Sequence, residues 1–346
     1  METAFIDYVD QLLMRLSPVI ALGFFKAMRD LGRAIDIDTI VRLIEQAERQ
    51  GQAQAVAERV ARQLLEPRVV AAAFAPVQSA IRDVVEKAGT RFYRDIPTGS
   101  SAAAPIASVR FNALDPATVT AIEEYESAVL GKLTDTVRET VQQAISEGMR
   151  AGVNPRTIAR SVVDVLGLTP DQETFLRNYR AELEALASPR TRASLRAALA
   201  AGNRPAALAR ELTDGNIDRT VRSAIAKDRP LTAAEIDKAT TRYRKNLATQ
   251  RAETLTRTVT LNTLREAQRM AWDQAIAAGK FDGDDLEETW ITTLDGRERP
   301  AHHAMHGARK AYNTDWIVPG VGRQRYPGES EYGCRCRTWI APRIRP

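Results

Sequence analysis

Cysteine and histidine are nearly missing from this 346-residue chain, which has two of the first and three of the second. Two cysteines cannot frame a protein of this size with disulfides. Aromatic residues are held to 6%, and the abundance of Ala, Leu, Arg, Glu and Gln leans the backbone towards helix. No apolar run approaches the roughly 18–20 residues that span a bilayer. The first ten residues carry the acids Glu2, Asp7 and Asp10 and lack the basic, then apolar, layout of a secretory leader. A soluble protein made in the cytoplasm is expected. No GxSxG elbow, HExxH pair or Gly-rich phosphate loop occurs. Neither sign of charge dominates, since 49 basic against 44 acidic residues leave a net +5. That balance permits contact with nucleic acid or another acidic surface without demanding it.

What is present reads as helix for most of the length. Hydrophobic residues at 44% and charged residues at 27% describe an ordinary globular chain, long enough for two or three domains. Phe5, Val9, Leu12, Leu13 and Leu16 recur at steps of three and four, an opening helix with one buried face. Further helices are expected around 19–32, 37–49, 52–65 and 68–88, so residues 1–93 form an N-terminal helical domain. Residues 94–108 are rich in Pro, Gly, Ser and Ala and mark a linker. Asp115-Pro116 pairs an N-cap acceptor with proline at the first helical position. Apolar residues from Ile122 to Ile145 then keep helical spacing until Gly148 and Gly152. Asn154-Pro155 starts another helix, and Thr169-Pro170 with Gln172 starts a third through a capping box. Residues 151–160 echo residues 201–210, which admits either repeated capping grammar or a duplicated helical hairpin.

From Thr232, capped by Glu235, neither Gly nor Pro occurs before Gly279, which permits one very long helix or two in sequence. Arg251, Leu255, Val259, Leu264, Met270 and Ile276 fit a buried stripe in its second half. Residues 109–280 therefore form a long-helix body. An acid-rich stretch, 281–288, reads as a solvated turn because its spacing matches no EF-hand. The grammar then changes to β-branched and aromatic residues at 288–294, 315–319 and 337–341, three short strand candidates. A short helix carrying the histidines lies between the first two. The expected fold is mainly α, an extended long-helix body with a small C-terminal α+β domain over 281–346.

All the histidine and cysteine sits in that last domain. His302 and His306 stand four apart, so on a helix both imidazoles share a side. Cys334 and Cys336 stand two apart, so on a strand both thiols share a face. Two His and two Cys are a set that zinc accepts in structural sites, and a domain this small gains from a metal. One residue between the cysteines is closer than zinc pairs normally stand. A strained disulfide between them, a thiol nucleophile activated by His302, and plain packing of these side chains are the other readings. The final 50 residues also hold ten basic residues (Arg297, Arg299, Arg309, Lys310, Arg323, Arg325, Arg335, Arg337, Arg343 and Arg345) against four acidic ones. Aromatic neighbours among them admit a DNA-binding surface.

The ordered series of residues resembles the phage head morphogenesis family of Mu protein F-like minor head proteins. The series begins with Arg251 to Thr258 on the long helix and continues through Trp290, Thr292, Asp295, Arg297, Arg299, His302 and Gly307. It closes on Tyr326, Pro327 and Gly328, the acidic Glu331, and Cys334, Arg335 and Cys336. Val259 and His306 stand where the family usually has acidic residues. The resemblance covers about 251–340 well and 110–250 only as a helical body. It implies a non-enzymatic virion protein associated with the portal, and with major capsid or scaffold proteins, during head assembly. It also implies several copies in the phage head and an influence on packaged DNA. The ten residues after Cys336 leave no room for the toxin domain that some relatives carry. The rival reading is a metal- or thiol-dependent hydrolase built on the His/Cys cluster.

Overall fold

Helix covers 72% of the chain, and a few antiparallel strands gather in a small C-terminal region. The computed structural model describes residues 2–48, 52–97, 110–203, 208, 210, 212–213, 215–296, 298–329 and 334–343. Helix α1 spans Glu2–Ala34, α2 Ile37–Glu48, α3 Ala53–Leu64 and α4 Pro67–Asp95. After them come α5 (Pro116–Arg150), α6 (Pro155–Val165), α7 (Pro170–Glu184), α8 (Pro189–Ala200) and α9 (Gly215–Ala226). Helix α10, Ala233–Ala277, runs unbroken for 45 residues, a length of about 67 Å at 1.5 Å per residue. It settles the choice between one helix and two.

The chain packs as two units, each assembled from discontinuous segments. The first comprises Met1–Ala27, Ala73–Gly131 and Glu253–Pro346, and the second Met28–Ala72 and Lys132–Ala252. The stretch 94–108 coincides with no boundary between these two units. Helix α4 continues to Asp95, and the chain on both sides of 98–109, a stretch outside the described residues, belongs to the first unit. The packing gives the reason. Phe111 lies against Gly89, where an added Cβ would come within 2.4 Å of the ring, and Arg82 makes a two-pronged pair with Glu126 at 2.7 and 2.8 Å.

In the first unit, α1 runs straight through Pro18 and joins two stretches that the sequence separates. Its segment Asp7–Ala34 contains an 18-residue window with a mean hydropathy of 1.2, enough by length and composition to cross a bilayer. This corrects the expectation that no run comes near that length. Ile20 and Phe24 on it are buried, and Gly23 lets it approach the α4 backbone so closely that a Cβ would lie 2.9 Å from the Pro76 carbonyl. Between Leu255 and Trp272, α10 exposes only Arg257. The Tyr125 hydroxyl donates to the Val259 carbonyl at 3.1 Å.

The second unit is built on helix starts that the sequence announces. Asn154 accepts from Arg156 N–H at 2.9 Å. Thr169 and Gln172 close a reciprocal capping box, as do Thr232 and Glu235. Its core includes Leu168, Leu183, Leu186 and Leu247, with the Tyr179 and Tyr243 rings 4.8 Å apart. Gly152 and Gly202 both hold positive φ two residues past a helix end, 64° and 78°. In each case the next residue's N–H reaches back to the helix, Val153 to Gly148 and Asn203 to Ala198. The echo of 151–160 in 201–210 thus contains a repeated helix stop; part of the second copy lies outside the described residues.

The C-terminal region carries β1 (Leu286–Ile291), α11 (Pro300–Ala304), β2 (Arg309–Ala311), β3 (Trp316–Val318), β4 (Gly322–Gln324) and β5 (Arg337–Pro342). All three expected strands are present, and β2 and β4, of three residues each, join them. Strand β1 lies between β2 and β5 in an antiparallel sheet, with Glu288 opposite both Lys310 and Ile340. Strands β3 and β4 form a second, two-stranded sheet. Leu286, Glu288 and Trp290 alternate to the buried face. The solvated-turn reading of 281–288 is corrected at its end, because Glu288 is 1% exposed and pairs with Lys310 at 2.7 Å and Arg269 at 3.1 Å.

Candidate metal centre

Trp290 organises the site from β1. Its side chain is fully buried, and its ring meets the edges of His302 at 5.4 Å and Trp316 at 5.3 Å. Its Nε1–H donates to Thr292 Oγ1 at 3.2 Å, and that hydroxyl donates in turn to the His302 carbonyl at 2.8 Å. The first residues after β1 are thereby tied to α11, which Arg299 precedes and Pro300 opens. His302 is 2% exposed.

The helix stops at Ala304, and this decides the fate of His306. Gly307, at φ 76°, turns the chain back. Its N–H donates to the Trp290 carbonyl at 2.8 Å, and Trp290 N–H donates to Ala308 at the same distance. The ladder beside β1 wins over a further helical turn, so the expected four-residue pairing of His302 with His306 does not form. His306 is exposed, and its Nδ1 accepts from Thr292 N–H at 3.1 Å. It is not among the residues whose ligand atoms gather, which are His302, Cys334 and Cys336.

Cys334 and Cys336 lead into β5, and their two-residue spacing brings both thiols to one side. Cys334 Sγ lies 3.4 Å and Cys336 Sγ 3.5 Å from His302 Nδ1. The three ligand atoms fall within 4.8 Å of one another, and both cysteines are free thiols, which removes the disulfide reading. Zinc–sulfur and zinc–nitrogen bonds of about 2.3 and 2.05 Å at tetrahedral angles put S and N roughly 3.5 Å apart. The observed spacings match, so His302, Cys334 and Cys336 can hold a metal ion. The nearness of the two thiols pushes them apart in acidity, Cys334 well below its ordinary range and Cys336 above it. Burial opposes ionisation at both.

The remaining residues of the series frame this centre. Arg335, between the ligands, pairs with the exposed Asp295 at 3.2 Å. Tyr326, Pro327 and Gly328 are buried, with Gly328 at φ 77° and its N–H on Gln324 Oε1 at 3.0 Å. Arg297 and Glu331 lie outside the described residues. Six of the ten basic residues meet carboxylates of their own unit: Arg309 (Glu287), Lys310 (Glu288), Arg323 (Asp315), Arg325 (Glu266), Arg335 (Asp295) and Arg337 (Asp10). Sequence reasoning missed Arg265 of α10, a buried guanidinium that donates to the Cys336 carbonyl. Its signal was a charge inside the expected buried stretch of the long helix. Comparison of the chain with protein-family models, with curated proteins and with solved structures finds no match.

Proposed function

We propose that this chain is a structural minor head protein of a tailed phage, acting in head assembly near the portal without enzymatic activity. The observation that carries the reading is the convergence of the motif series. Trp290, Thr292, His302, Gly307, Cys334 and Cys336 lie far apart in sequence, yet they are joined by the hydrogen bonds and ring contacts of one small core. A series that builds the core of a module marks an architectural part. The two thiols are 5% and 3% exposed, which suits a cross-link better than a nucleophile that must meet substrate. A structural metal, zinc being the ion to which the sequence points, would cross-link α11 to the approach of β5 through His302, Cys334 and Cys336. The long helices α5 and α10 supply extended faces for portal, major capsid or scaffold subunits. Internal pairing of six basic side chains favours a protein partner over packaged DNA.

Co-expression of the tagged chain with the portal protein of the same phage tests the proposal. A complex that survives size exclusion, together with the chain's presence in purified virions, is the expected result. A chain that neither binds portal nor enters virions would overturn it.

A further inference from the structure

Two guanidiniums are buried beside the Cys334–Cys336 segment, and only one of them meets a carboxylate. Arg337, its side chain 5% exposed, bonds Asp10. Arg265, 4% exposed, bonds the neutral Asn262 Oδ1 and the Cys336 carbonyl, with its Nε left without a hydrogen-bond partner. Among the described residues no carboxylate pairs with it. Its neighbour Glu266 is engaged instead by Arg325 at 2.9 Å. The ring of Tyr326 lies 5.7 Å from the guanidinium carbon. The groups whose ionised forms would offset its charge are the Cys334 thiol first, then Tyr326 and the Cys336 thiol, and a metal ionises the two thiols.

A guanidinium keeps its proton at any accessible pH, and a buried cluster is cheapest when its charges cancel. The centre supplies two thiolates and a neutral imidazole when it binds a metal. With Arg265 included, a monovalent ion brings the cluster to neutrality, whereas a divalent ion leaves one positive charge over. Soft thiolates suit cuprous ion, and the described residues offer it three donors. We infer that this centre is matched to a soft monovalent cation, Cu(I), and that Arg265 is the residue that sets the preference over Zn(II). The inference rests on the reading that a metal cross-links the module. It adds which ion is preferred and why.

The test compares Cu(I) and Zn(II) affinities of the full-length chain, each measured anaerobically by competition with a chelator of known affinity. R265Q removes the charge but retains a donor for the Cys336 carbonyl; R265K keeps the charge. N262D leaves Arg265 in place and gives it a carboxylate. Coulomb attraction over a few ångströms in a partly polar interior sets the expected scale. The ratio of Cu(I) to Zn(II) affinity should fall roughly 10–100-fold in R265Q and in N262D and stay within about threefold in R265K. Because the ratio compares two ions on one protein, a general loss of stability cancels from it. If R265Q does not fold, N262D and R265K carry the same comparison. An unchanged ratio in N262D or R265Q, or a wild-type chain that holds Zn(II) but not Cu(I), overturns this inference alone. A chain that binds neither ion overturns the metal-centre reading itself.

Discussion

Replacing Trp290 by Ala should cost the C-terminal region most of its stability. Trp290 is fully buried, makes two edge contacts and gives its Nε1–H to Thr292. A tryptophan buries about 150–250 Å², worth roughly 4–6 kcal/mol at 25 cal/mol per Å². Area burial overstates the effect because the denatured chain hides part of that surface. The measured range for Trp→Ala in cores, about 3–5 kcal/mol, is the better expectation. W290F should cost less in volume, but it leaves the Thr292 hydroxyl without its buried donor, about 1–3 kcal/mol. Amide hydrogen exchange over 286–291 and 337–342, read against urea unfolding of each variant, is the assay. W290A should open these amides by the full difference, with W290F between it and wild type. A W290A loss below about 1 kcal/mol would refute the claim that this side chain organises the site.

Two further outcomes follow from the packing and the buried charges. G89A should destabilise the chain by about 1–2 kcal/mol, the overpacking against Phe111 exceeding alanine's helical advantage of about 1 kcal/mol. In an F111A background the sign should reverse, which urea titration of the four variants would show; a G89A cost that survives F111A contradicts the packing. Burial raises the Glu173 carboxyl above its ordinary 4.5. A raised folded value gives stability that is complete below the unfolded value and lost as pH climbs through the folded one. E173Q should therefore gain on wild type between pH 4 and pH 7. A difference flat with pH, or one that narrows, would count against that reading.

The sequence disclosed the local devices and hid the long-range ones. Asn154, Thr169 and Thr232 announce their helices because an N-cap is a contact between residues three or fewer apart. The long α10 was legible from its lack of Gly and Pro. Its environment was not, since between Leu255 and Trp272 the helix is covered almost all round and a buried helix shows no single stripe. The division into two units could not be read, because each unit joins segments that the chain of the other unit separates. At the site, Cys334 and Cys336 met His302 as their spacing suggested. His306 did not, because Gly307 ends the turn and the β1 ladder claims its backbone. Glu288 was readable in principle, sitting in step with Leu286 and Trp290 on the inward face of β1. Its clustering with other acids hid it. Arg265 showed only as a charge within an apolar stretch, and its meaning depends on a thiol pair some 70 residues on.

Native mass spectrometry of the full chain, reduced and reconstituted anaerobically with one equivalent of Zn(II) or Cu(I), tests the account most directly. Wild type should hold one ion per chain, C334S/C336S none, and H302A should hold it far more weakly, while H306A should match wild type because His306 Nδ1 is engaged by Thr292. A wild-type chain that takes up no ion, or a C334S/C336S chain that takes up as much, would contradict it.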